Sequence, residues 1–68
     1  MKTKKQINQE KENILRVIQG SNRPLSLSEI REITGLGFIS LRLTELHHAG
    51  LIMKTHDGNT NLFAKVDN

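Results

Sequence analysis

LSLSEIREITGLGFISLRLTELHHAG, residues 25–50, carries the densest set of structural signals in the chain. Ser26 stands three residues before Glu29. That is the spacing of a capping box, in which each side chain satisfies a backbone N–H that the first helical turn leaves unbonded. Leu25 and Ile30 flank the box at the positions of a hydrophobic staple. Leu27, Ile30 and Ile33 share one face, which predicts a helix over about residues 27–34. Gly35-Leu36-Gly37 breaks it, with Leu36 expected to be buried in a tight turn. A second helix is expected over about 38–49, because Ile39, Leu43 and Leu46 fall at i, i+4 and i+7. Gly50 then occupies the C′ position, with Leu51 placed to meet Leu46 in a Schellman ending.

On the N-terminal side, Pro24 disfavours a helical conformation at Arg23, so residues 21–24 read as a loop. Ile7, Ile14 and Ile18 form a stripe widened by Leu15 and Val17, and predict a helix over 9–19. Residues 1–8, with Lys2, Lys4 and Lys5, read as a basic arm or a frayed helix start. On the C-terminal side, residues 51–56 and 60–66 read as the strands of a hairpin. Asp57-Gly58 is a type I′ turn signal, and Asn59 extends the loop. The order is helix, short extended piece, helix, tight turn, helix, hairpin. Two helices joined by a short glycine turn make a helix-turn-helix, and a hairpin directly after the second is a wing. The expected fold is α+β, mainly α: a winged helix-turn-helix over residues 9–66.

The chain has 68 residues, enough for one domain with a small core. It has no cysteine, so neither a disulfide nor a thiolate metal site is expected. Ten lysines and arginines against 7 acids leave a net charge of +3, which favours a polyanionic partner. No apolar h-region follows the charged start, and no apolar run reaches membrane-spanning length. A soluble, cytoplasmic protein without a membrane association is expected. The chain also lacks tyrosine and tryptophan, and its acids are scattered over helix surfaces. No Ser-His-Asp set can be placed on facing elements, so no enzymatic activity and no cofactor are expected. His47 and His48 are helix neighbours that point about 100° apart, so they and His56 do not suggest a metal site.

The sequence resembles the bacterial winged-helix transcription regulators. The residues that carry the likeness are Leu25-Ser26-Leu27-Ser28-Glu29-Ile30 and Leu43-Thr44-Glu45-Leu46-His47-His48-Ala49-Gly50-Leu51-Ile52. The second run is similar to the signature that ends a recognition helix and enters a wing. The likeness extends from Glu12 to Val66. Small size, with Glu29-Ile30, Arg42 and Gly50, is similar to the short regulators of fimbrial (Pap-type) operons. That narrower resemblance implies control of adhesin genes, beside a larger global regulator at the same promoter. The stretch from Gly35 to Ile39 is shorter than in typical members.

In such a fold the helix over 38–49 enters the major groove. With Ile39, Leu43 and Leu46 inward, helical geometry turns Leu41, Thr44 and His48 outward with Ser40 beside them. Ser40 and Thr44 are expected to hydrogen-bond base edges, His48 to donate to phosphate or guanine, and Leu41 to touch a thymine methyl. Backbone contacts are assigned to Ser26, Ser28, Arg31, Arg42, Lys54, His56 and Lys65, and wing-tip contacts to Asn59, Thr60 and Asn61. Lys2, Lys4 and Lys5 form an electrostatic arm. Each has a plainer reading: Ser26 as a helix cap, the lysines as a solvated tail, Leu41 as an ordinary exposed leucine. Two other functions stay open. One is a winged-helix module that binds a larger regulator, favoured by Leu41 and by the lack of a central Arg, Asn or Gln on the helix. The other is an RNA- or ribosome-associated module, which rests on charge alone. A monomer or weak dimer is expected.

Overall fold

The structure is a computed structural model that describes residues 2–66. Helix α1 spans Lys4–Gln19, strand β1 Leu25–Ser26, helix α2 Leu27–Thr34, helix α3 Ser40–His48, strand β2 Ile52–Asp57 and strand β3 Thr60–Lys65. The strands form one antiparallel sheet in the order β1-β3-β2. Three helices and a three-stranded sheet make a mixed α+β, mainly helical architecture. No helix among the described residues is long and apolar enough to cross a membrane.

Helix α1 begins five residues before the expected start. Thr3 is its N-cap: the Thr3 hydroxyl accepts the Gln6 N–H at 3.2 Å, and the Gln6 side chain accepts the Thr3 N–H at 2.9 Å. This second capping box recruits Lys4 and Lys5 into the first turn. The arm expected over residues 1–8 is therefore helical from Lys4 onward. Met1 lies outside the described residues.

The Ser26–Glu29 box at the head of α2 forms as expected. The Ser26 hydroxyl accepts the Glu29 N–H at 3.2 Å, and the Glu29 carboxylate accepts the Ser26 N–H at 3.0 Å. Leu25 and Ile30, the two staple positions, are both buried. Ile33, assigned to the apolar face, is instead 59 % exposed. With only eight residues, α2 turns one narrow stripe to the core, and Ile30 fills it.

Helix α3 starts at Ser40, two residues later than expected, and its N-cap Ile39 makes no side-chain capping hydrogen bond. Phe38 is left 90 % exposed. The core stripe is as expected, with Ile39, Leu43 and Leu46 all buried. At the C-terminal end the Gly50 N–H reaches the His47 carbonyl and the Leu51 N–H reaches the Leu46 carbonyl, both at 3.0 Å. That is the Schellman pair, and it requires the left-handed φ of 76° found at Gly50.

The hairpin pairs Asp57 with Thr60, so its loop is Gly58-Asn59 rather than Asp57-Gly58. Gly58 has a φ of 65°, and among the described residues no non-glycine has positive φ. A glycine at the first central position marks a type II′ turn instead of type I′. Thr60 and Asn61, expected at the tip, are paired strand residues. The short extended piece before α2 joins the sheet: Leu25 pairs with Phe63 and Ser26 with Leu62. Because side chains alternate along a strand, Ile52, Lys54 and His56 of β2 share a face with Asn61, Phe63 and Lys65 of β3. Ile52 and Phe63 bury themselves there among Ile14, Ile18 and Ile30.

Candidate nucleic-acid interface

Helix α3 has two unlike flanks beside its buried stripe. The flank toward α1 is charged. The Arg42 side chain is only 12 % exposed, with Nε 3.4 Å from Glu10 Oε1 and Nη1 2.5 Å from Glu45 Oε1. Lys11 adds a contact to Glu45 at 3.2 Å, and Lys2 one to Glu10 at 2.6 Å. The hydrogen bond from Lys2, helped by Arg42, holds the Glu10 carboxyl below its ordinary value. Arg42 and then Lys11 do the same for Glu45. Arg42, expected on a backbone phosphate, is drawn into this α1–α3 network instead. Two carboxylates within hydrogen-bond reach satisfy a guanidinium that is largely covered. Lys2 likewise has a carboxylate partner, Glu10.

The other flank is nearly uncharged. Ser40, Leu41, Thr44 and His48 are all exposed, as the periodicity predicts. Leu41 is 62 % exposed. The Thr44 hydroxyl donates to the Ser40 carbonyl at 3.0 Å. Its proton is thus committed to the helix while its lone pairs remain, so Thr44 is an acceptor. An acceptor there suits an exocyclic amino group, such as adenine N6 or cytosine N4.

Between this flank and the hairpin runs a groove. Leu27, Leu43 and Phe63 contribute apolar lining, and Ser40, Thr44, His47, His48, Lys54 and Asn61 contribute polar lining. His56 pairs across the strands with Asn61 and continues the row toward the turn. The structure thus brings together Ser40, Thr44, His48, Lys54 and Asn61 from the expected set. His47 belongs with them and was missed by the sequence reading. It sits seven residues after Ser40, so the i, i+4, i+7 count that found the core stripe also identifies Ser40, Thr44 and His47 as a row. The His47 and His48 ring centroids lie 6.0 Å apart.

The other expected contacts lie elsewhere. Ser28 and Arg31 line a separate depression on α2 with Glu32 and Leu36. Lys65 sits at the base of the hairpin beside residues 21–24, away from the groove. Strand alternation puts Thr60 on the opposite face from Asn61, and Asn59 lies in the turn. Lys4 and Lys5 are exposed on the first turn of α1. Ser26 has its hydroxyl oxygen engaged as the cap of α2, in keeping with its plainer reading. Beside it Glu29 also takes a hydrogen bond from Arg23, which with the Ser26 N–H holds its carboxyl down at about 2.

No protein-family model, curated protein or solved structure matches the chain.

Proposed function

We propose that the chain is a winged-helix transcription regulator that binds double-stranded DNA, with α3 in the major groove and the β2–β3 hairpin as a wing on the adjoining backbone. The observation that carries this reading is the continuity of one surface. The free flank of α3, with Ser40, Leu41, Thr44 and His48 exposed, runs into the groove bordered by Lys54 and Asn61. A major groove about 12 Å wide admits a helix, and short hydroxyl, leucine and imidazole side chains leave the helix room to approach base edges. Lys54 and His56 supply backbone contacts, with Asn59 at the wing tip. Arg31, Ser28, Lys4, Lys5 and Lys65 add outlying contacts. The resemblance to fimbrial-operon regulators makes adhesin genes the proposed target, with a larger global regulator as a partner, the chain itself acting as a monomer or weak dimer in the cytoplasm.

Selection of bound sequences from a random duplex pool at moderate salt tests the reading and supplies an operator. On the selected duplex, Thr44→Ala and His48→Ala are each expected to weaken binding more than on random duplex. Equal losses on both would remove the base-reading role.

A second reading is favoured by two observations. Leu41 is 62 % exposed, and Arg42, the only Lys or Arg on α3, is held by Glu10 and Glu45. On that reading the same face docks a larger regulator and reads no sequence itself. Absence of duplex binding at low salt, together with complex formation with a regulator in the absence of DNA, would select it.

A further inference from the structure

Of the permanent cations, only Lys54 lines the groove between α3 and the hairpin. Lys2, Lys11, Arg23 and Arg42 are each paired with a carboxylate elsewhere. Yet two of the three histidines, His47 and His48, line this groove, and the third, His56, lies opposite its lining residue Asn61. His47 and His48 line it from α3, and His56 extends the Lys54 row on the same face of β2. All three are exposed.

The groups that face these histidines are uncharged apart from Lys54. From α2 comes Leu27, from α3 Ser40, Leu43 and Thr44, and from β3 Asn61 and Phe63. Among the described residues, no carboxylate lines the groove. Glu45 is turned to the opposite flank of α3, where Arg42 and Lys11 hold it. Asp57, next to His56, points to the other face of the strand. Among the described residues, the lining therefore offers these imidazoles no carboxylate partner.

We infer that His47, His48 and His56 make the grip of this surface on the phosphodiester backbone of a duplex depend on acidity, with Lys54 the only permanent charge of the clamp. The inference rests on the DNA-binding reading and names a regulation of that same site. Histidine is the side chain that changes charge between about pH 8 and pH 5. Each imidazolium that pairs with a phosphate displaces a condensed counterion, so it steepens the slope of log affinity against log salt by about 0.9.

The test is fluorescence anisotropy of a labelled duplex with the full chain over a salt series, at about pH 8 and about pH 5.5. The wild type is expected to bind with a slope steeper at the lower pH by about 0.9 for each histidine engaged. The triple variant His47→Gln, His48→Gln, His56→Gln is expected to show one slope at both pH values, with circular dichroism checking that it is folded. A wild-type slope that does not change with pH overturns the inference and leaves the DNA-binding reading standing. A triple variant that still steepens in acid overturns it as well. A chain that binds no duplex at low salt at either pH overturns the DNA-binding reading and the inference with it.

Discussion

The two flanks of α3 are built from opposite principles. The flank toward α1 gathers Arg42, Glu45, Glu10, Lys11 and Lys2 into ion pairs that close on one another. The flank toward the hairpin offers hydroxyls, a leucine, imidazoles and Lys54, with no carboxylate among them. Charge on the first flank is spent on joining two helices; on the second almost none is committed. A net charge of +3 is therefore a poor guide to where a polyanion would sit. Lys2, Lys11, Arg23 and Arg42 are paired locally, and the groove proposed to take a duplex is lined by one permanent cation, Lys54.

The contrast breaks most completely if the buried stripe between the flanks is cut. Leu43→Ala removes a fully buried side chain of α3, a change that costs about 2–5 kcal/mol. Small domains hold about 3–5 kcal/mol from their cores, so chemical denaturation is expected to find the variant largely unfolded. Next in size is Arg42→Met, which removes the cation shared by Glu10 and Glu45 and leaves them only Lys2 and Lys11. Its Tm is expected to fall at neutral pH, by less than for Leu43→Ala.

The pH dependence of that deficit sharpens the comparison. Glu10 and Glu45 are held below their ordinary value of 4.5 in the folded chain. Their contribution is present in full above that value and is lost as pH falls through the depressed folded values. The Tm gap between wild type and Arg42→Met should therefore shrink on acidification below about 4.5. The smallest effect on stability is expected for Leu41→Ser, on the free flank. Thermal melts should stay within about 0.5 kcal/mol of wild type, while affinity for a selected duplex containing a contacted thymine falls.

Much of the fold is legible wherever a signal is local. The Ser26–Glu29 box, the stripe of Ile39, Leu43 and Leu46, and the Gly50 ending each lie within a few residues and depend on backbone chemistry alone. What escaped reading depends on distant partners or on competing local signals. Lys4 and Lys5 sit inside the Thr3–Gln6 box and mask it as a charged tail. Arg42 finds Glu10 thirty-two positions away, and no periodicity reports that pairing. The turn slipped by one residue because Asp57-Gly58 and Gly58-Asn59 are both acceptable turn pairs, and the choice is made by the register of β2 against β3. Of the expected contact residues, Ser40, Leu41, Thr44 and His48 on α3 were legible as exposed because helical phase alone orients them. Lys65 and Thr60 were not, since their placement depends on strand register and on which side of the sheet the helices cover.

Ser26 is at once the last residue of β1 and the cap of α2, so no spacer separates the sheet from that helix. Helix α3 in turn runs into β2 through Gly50 and Leu51. Followed along chain and hydrogen bonds, the path from α2 through α3, β2 and β3 returns through β1 to its own beginning. In a molecule with no cysteine this closed circuit is a non-covalent clasp, fastened between β1 and β3 by two residue pairs.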